Sequence, residues 1–219
     1  MEKMSILTPT QKRILDQIKN SEFIKKNFYF TGGTVLSEFY LQHRFSEDLD
    51  FFSEKKFDFD KIFEEVNDWS KKLDFTFTRQ QREVVHIYIL NLKNKDTLKL
   101  DFGYYPYPRV KKGIKYQGLT VDSLLDIAIN KLASVNQRNS VKDFVDLYYL
   151  LDKFTIWDLI EGVKMKFRME IEPWILGSDL EFVVKDFQTL PKMIKPLTLN
   201  ELKNFFRQKA QELGKKSVI

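Results

Sequence analysis

Asp48 and Asp50 stand one residue apart in an apolar run, Leu49-Asp50-Phe51-Phe52, and that pairing limits what the segment can become. Short aromatic-rich runs of this kind read as strands, and in a strand residues i and i+2 share a face. The two carboxylates then project side by side, roughly 6–7 Å apart along the chain. They repel each other unless a cation lies between them, and acids in so apolar a setting are costly without a partner. Upstream, Phe30-Thr31-Gly32-Gly33-Thr34-Val35-Leu36 reads as strand, glycine turn and helix. The glycines let backbone approach a phosphate closely, and the helix N-terminus that follows offers its N–H groups. A glycine pair also suits any tight strand-to-helix turn, so its weight comes from its coupling to the downstream Asp-x-Asp. An anion cradle coupled to a clamp for Mg²⁺ carrying nucleotide phosphates is the layout of a phosphoryl- or nucleotidyl-transfer site.

The chain around this feature has 219 residues, 43% of them hydrophobic and 15% aromatic, which suits one large or two small globular domains. The absence of cysteine excludes disulfides and thiolate metal sites. Met1-Glu2-Lys3-Met4 runs into a polar helix without a signal-peptide pattern. No apolar run reaches the roughly 18–20 residues of a membrane span, so the reading is a cytoplasmic protein with no membrane partner. The formal net charge of +5 suits an acidic partner such as RNA.

Pattern and turn signals divide the chain into a mixed α/β part and an all-α part. Thr8-Pro9 is an N-cap with proline at the first helical position, opening a helix that the pattern carries to Lys26. A strand over 27–31, a helix over 34–42, a strand over 48–53 and a helix from Asp58 or Asp60 to Leu73 follow. Strands are predicted at 75–79, 84–92, 97–102 and 113–116. Helices are predicted at 122–136, 140–153, 155–168, 178–189 and 198–213, with turns at Pro173, Gly177, Pro191 and Pro196. The fold class is α+β, with residues 1–119 as the catalytic core and its N-terminal helix, and 120–219 as a helical domain.

Further residues could join the chemistry. Asp101 lies within the strand Leu98-Lys99-Leu100-Asp101-Phe102. If that strand lies beside the Asp48–Ser53 strand, Asp101 completes a carboxylate triad for metal, or takes the proton of an attacking hydroxyl. Otherwise it is a solvent-facing strand-end acid, since Lys99 shares its face. Thr34 could donate to a phosphate or cap its helix. Arg44, in the loop with Ser46, could neutralise phosphate or pair with Asp48. Lys131, Ser134 and Arg138 follow at helical spacing as a candidate phosphate rail, ahead of Asp143 and Asp146. The structural account is equally available there: Ser140 and Asp143 fit a capping box, and Lys142 and Asp146 fit an i,i+4 pair. Tyr104–Lys115 interleaves aromatics and cations, as single-strand binders do, or forms a tyrosine-rich edge strand with solvated lysines. Lys203, Arg207, Lys209, Lys215 and Lys216 give the C-terminal helix a basic face.

Gly-Gly-Thr, then Arg-x-Ser-x-Asp-Leu-Asp-Phe, then Lys-Leu-Ala-x₄-Arg-x₃-Lys-Asp-x-x-Asp-Leu, in that order across residues 28–151, resembles the AbiEii/AbiGii toxin nucleotidyltransferases of the DNA polymerase β-like superfamily. The resemblance implies a polymerase-β-like core, an NTP donor, Mg²⁺ (or Mn²⁺), and the toxin role of a bacterial toxin–antitoxin or phage-defence pair. It implies RNA as acceptor, with the tRNA 3′ end the expected target, and a cognate antitoxin as partner. Gly32, Gly33, Thr34, Arg44, Ser46 and Arg138 would then bind nucleotide phosphate. Asp48, Asp50 and Asp101 would hold metal, Lys131 would reach the triphosphate or the leaving pyrophosphate, and Asp143 would match a later motif. Thr34 stands where much of the superfamily has serine, with the hydroxyl retained. Transfer to a protein or to a small molecule such as an aminoglycoside stays open, as does a non-catalytic nucleotide- or RNA-binding module.

Overall fold

A computed structural model describes residues 5–93 and 95–215. Met1–Met4 and Lys216, on which two of the expectations above fall, lie outside the described residues. The chain divides into two compact units. The first comprises Met1–Tyr40, Ser46–Pro108 and Lys112–Ser123; the second comprises Leu41–Phe45, Arg109–Lys111 and Leu124–Ile219.

The first unit is built on a seven-stranded mixed sheet. Its strands are β1 (Tyr29–Thr31), β2 (Leu49–Ser53), β3 (Phe75–Arg82), β4 (Val85–Leu92), β5 (Thr97–Tyr104), β6 (Lys115–Tyr116) and β7 (Leu119–Val121), in the spatial order β3-β4-β5-β2-β1-β7-β6. The β2/β5 and β1/β7 pairs are parallel and the others antiparallel. Alternation fixes the faces. Phe51 stacks between Phe30 and Phe102, with centroids 4.9 and 5.4 Å away, and Leu49 and Leu100 are fully buried beside them. Their odd-even neighbours Asp50 and Asp101 therefore project from the opposite face. Burying such aromatics contributes roughly 1.5–3 kcal/mol each, and a one-residue slip would turn the acids into that core.

Helices of this unit start where the side chains dictate. Thr8 caps α1 (Pro9–Ile18) in a capping box with Gln11. The helix predicted to Lys26 breaks at Ser21, whose hydroxyl accepts from the Ile24 N–H and so caps a separate α2 (Glu22–Asn27). A local serine cap outweighs continuing helix pattern there. α3 (Gly32–Val35) leads into a π-helical turn, Leu36–Leu41, where a plain helix was predicted. Asp58, of the two candidates, caps α4 (Phe59–Leu73), which buries Ile62, Val66 and Trp69. β7 went unpredicted: its three residues are too few for a period, and pairing with β1 makes it a strand.

The second unit holds α5 (Leu124–Val135), α6 (Val141–Leu150), α7 (Ile156–Phe167), α8 (Pro173–Lys185) and α9 (Leu199–Lys215). Phe144 of α6 packs edge-on against Phe206 of α9 and against Phe187, with centroids 5.0 and 4.9 Å apart. α8 starts five residues earlier than predicted. Pro173 is its first residue rather than a turn, since proline tolerates that position. Gly177 is not a turn either: it lies inside α8, where a Cβ would come 3.0 Å from the Ala210 carbonyl of α9. No helix among the described residues is long and apolar enough to cross a membrane.

Candidate active site

The parallel register of β2 and β5 sets Leu49 beside Leu100 and Asp50 beside Asp101. One step earlier, Asp48 precedes β2 just as Lys99 precedes Leu100. The sheet thus meets the condition on which the sequence argument made Asp101 a third acid. Asp48 stands immediately before the strand rather than inside it. Antiparallel pairing brings Thr31 of β1 beside Asp50, and the Thr31 hydroxyl donates to Asp122 Oδ2 at 2.8 Å. Asp101, Asp50 and Thr31 therefore form a row across three strands, and Asp122, just past the end of β7, extends it. Asp122, fully buried, gave no sequence signal, because only the β1/β7 pairing brings it there.

Gly32 opens α3 with a φ of +80°, the left-handed region that favours glycine. A Cβ at that position would meet Asp50 Oδ2 at 2.0 Å, so the carboxylate occupies the space that the glycine vacates. Gly33 follows as the second residue of α3. The buried Thr34 hydroxyl donates to the Asp48 backbone carbonyl. This bond ties α3 to the acid-bearing segment. Ser46 is half-buried, and its carbonyl accepts from Gln11 Nε2 at 2.9 Å.

Lys99 shares the face of Asp101, the feature on which the solvent-facing alternative rested. Its ammonium forms an ion pair with Asp101 Oδ2 and lies 3.9 Å from Asp48 Oδ2. Burial pushes the Lys99 amine down, but hydrogen bonding and the charges of Asp101, Asp50 and Asp48 outweigh it and hold the amine above its ordinary value. Burial lifts the Asp101 carboxyl, Lys99 opposes this, Asp48 adds to it, and the net direction is upward. Asp101 Oδ1 is buried with no hydrogen-bond partner among the described residues. Three carboxylates with one unpartnered buried oxygen suit a hard divalent cation such as Mg²⁺ or Mn²⁺ in donor chemistry. Among the described residues no three acids or histidines are gathered tightly enough to hold a metal as they stand; Lys99 Nζ is the cation that Asp101 and Asp48 share.

The second constellation lies in the helical unit and forms its own network. Arg44, 2% exposed, donates from Nε and Nη2 to Asp146 at 2.7 and 2.8 Å, and from Nη1 to the Phe45 carbonyl. Its buried partner is thus Asp146, which neither sequence reading of Arg44 had named. Lys131 Nζ reaches Asp143 Oδ1 and Asp146 Oδ2, both at 2.6 Å, and Arg138 Nε reaches Asp143 Oδ2 at 2.7 Å. The expected phosphate rail is not a helix face. α5 ends at Val135, Ser134 bonds back to the Asn130 carbonyl, and Arg138 lies beyond the helix. Nor does Ser140 make the side-chain cap its spacing suggested.

Burial would raise both carboxyls of this network. The charge of Lys131, joined by Arg138 at Asp143 and by Arg44 at Asp146, outweighs burial, leaving Asp143 below its ordinary value and Asp146 well below it. Lys131 is held above its ordinary value although burial opposes it. His43 is pushed down, chiefly by burial, so its ring is neutral near pH 7 and Nε2 donates to Asp146 Oδ1 at 2.6 Å. A separate buried pair was also illegible in sequence. Asp126 accepts from Lys166 Nζ at 2.8 Å and from the N–H groups of Val110 and Lys111 at 2.8 and 2.9 Å, pinning part of the aromatic-basic segment. That segment is irregular over residues 105–114 rather than an edge strand.

With this geometry described, comparison with known proteins places the chain. The family model described as "Nucleotidyl transferase AbiEii toxin, Type IV TA system" matches residues 13–216. An uncharacterized protein of Aquifex aeolicus (strain VF5), aq_aa25, is 32% identical over 216 residues, spanning 95% of this chain and 98% of that one. Two solved structures share the fold. JHP933 from Helicobacter pylori has a TM-score of 0.56 at 22% identity, over 96% of this chain and 94% of that chain. An H. pylori protein assigned as a candidate nucleotidyltransferase has a TM-score of 0.58 at 23% identity, over 96% and 97%. The α+β chain, with its glycine turn and its acids in register, belongs to the AbiEii family of nucleotidyltransferase toxins of type IV toxin–antitoxin systems.

Proposed function

We propose that the chain transfers a nucleoside monophosphate from an NTP to an RNA hydroxyl, with the tRNA 3′ end as acceptor, and that Asp48, Asp50 and Asp101 carry the chemistry. The observation that carries this reading is the β2/β5 register, with Asp50 beside Asp101 and Asp48 one step ahead, next to the Gly32–Gly33 turn. Asp48 and Asp50 would hold the divalent cation, with Asp101 Oδ1 available to it or to a proton. When bound, such an ion supplies charge neutralisation to the phosphates and to the leaving oxygen.

The protein's own groups do the rest. Gly32 and Gly33 leave room for phosphate at the start of α3. The acceptor hydroxyl loses its proton to Asp101, whose raised proton affinity suits a base. The acceptor oxygen bonds to the α-phosphorus, the bond from that phosphorus to the oxygen bridging to the β-phosphate breaks, and pyrophosphate leaves. Lys131 and Arg138 are carried as triphosphate-binding residues on the family resemblance, and Asp143 as the motif acid that pairs with both. In support, their network keeps Lys131 protonated. The reading places the protein in the cytoplasm, where NTPs and tRNA are, and leaves a cognate antitoxin as its genetic partner.

The test is incubation with bulk tRNA, Mg²⁺ and each α-labelled NTP in turn, resolved on a denaturing gel. Label on tRNA with one or more NTPs is the expected result. Label on protein alone would replace RNA by a protein acceptor, and binding of NTP without any transfer would favour the non-catalytic module.

A further inference from the structure

Lys99 is not among the residues that the reading above requires, yet it stands at the centre of the acids. Two features of sequence put it there. In Lys99-Leu100-Asp101 the lysine is two residues before the acid, so both side chains leave β5 on one face. The β2/β5 register then sets Lys99 across from Asp48, as it sets Asp101 across from Asp50. The ammonium pairs with Asp101 Oδ2 and lies 3.9 Å from Asp48 Oδ2. The lysine side chain is 34% exposed while that of Asp101 is 11% exposed. The lysine is thus the more solvent-exposed member of the pair.

We propose that Lys99 is the resident counter-ion of the acid cluster, a tethered ammonium that a divalent cation must displace, and that it thereby sets the metal affinity of the free enzyme. Asp101 Oδ2 cannot keep an ammonium in ion-pair contact and also ligate a divalent ion, because the two cations would repel across one oxygen. Without metal, Lys99 relieves the repulsion that would otherwise drive Asp48 and Asp101 apart or force one to take a proton. The cost appears at loading: each metal ion first breaks the Lys99–Asp101 pair. The free site is thus kept neutralised and its affinity for bare metal is held down. This inference rests on the acids being the metal site.

The experiment is Mn²⁺ binding to the full chain without nucleotide, followed by electron paramagnetic resonance of the free ion. Wild type, Lys99→Met, Lys99→Arg and Asp50→Asn are compared. Lys99→Met is expected to bind Mn²⁺ at least about tenfold tighter than wild type, because a cation within ion-pair distance shifts such equilibria by one or more decades. Lys99→Arg, which keeps the charge, stays near wild type. Lys99→Met should also melt below wild type in EDTA and gain more from Mn²⁺. Lys99→Gln, which retains a donor for Asp101 without charge, gives the same comparison should Lys99→Met not fold. Unchanged or weaker Mn²⁺ binding in the uncharged variants, with binding lost in Asp50→Asn, would overturn the counter-ion role and leave the metal site standing. Wild-type Mn²⁺ binding by Asp50→Asn would overturn the site itself.

Discussion

Asp50 and Gly32 divide one small volume between them, and the consequences are specific to those two residues. Gly32→Ala would force a Cβ into the left-handed backbone region, at a cost of about 1–3 kcal/mol. It would also drive that Cβ into Asp50 Oδ2, 2.0 Å away. We expect a lowered melting temperature together with loss of transfer, measured on the same preparation; wild-type activity in Gly32→Ala would mean that the Asp50 carboxylate need not lie there. Asp48→Asn should behave differently. Asp48 is partly exposed and its backbone carbonyl, not its carboxylate, accepts from Thr34. Its stability should stay within about 0.5 kcal/mol of wild type while transfer is abolished, as urea unfolding and a transfer assay can separate. At this scale the sequence was legible where chemistry is local: an Asp-x-Asp in an apolar run has few uses. Lys99, Asp122 and Asp126 were not legible, because a strand lysine or a helix aspartate shows its partner only once registers and helix crossings are known.

The elements tell the same story from the other side. α4, α7 and α9 lie close to where their caps and periodicity put them, since those signals act within a turn. The unpredicted β7 depends on a partner distant in sequence, whereas the divided first helix and the early start of α8 turn on local cues weighed wrongly, the Ser21 cap and Pro173 at a first helical position. The α5–α6 pair gives a testable consequence of its buried charges. Asp146 serves Arg44, Lys131 and His43. Asp146→Asn therefore leaves buried cations undercompensated and should cost about 3–5 kcal/mol in urea unfolding. The pH dependence follows from the directions of the shifts. Asp143 and Asp146 are depressed from 3.8, so their contribution is present above 3.8 and is lost as pH falls through their lower folded values. Lys131 is raised from 10.5, so its contribution holds below 10.5 and is lost as pH rises through its folded value. Urea midpoints measured across pH should show both limbs in wild type and a weaker acid limb in Asp146→Asn. Identical acid limbs would contradict the network.

For the whole molecule, the division of labour is chemical. One unit gathers acids on the far side of an aromatic sheet core from Phe30, Phe51 and Phe102; the other gathers alternating charges among helices. The chain's net positive charge of +5 coexists with that acidic focus, in line with the RNA acceptor proposed above. The central claim is that the acids set by the β2/β5 register perform nucleotidyl transfer. Its most direct test is label incorporation from α-labelled NTP into tRNA by wild type and by Asp50→Asn, with folding of both verified by circular dichroism and urea unfolding. The account predicts a labelled tRNA band with wild type and none with the folded Asp50→Asn protein. An equal band from the folded variant would contradict it.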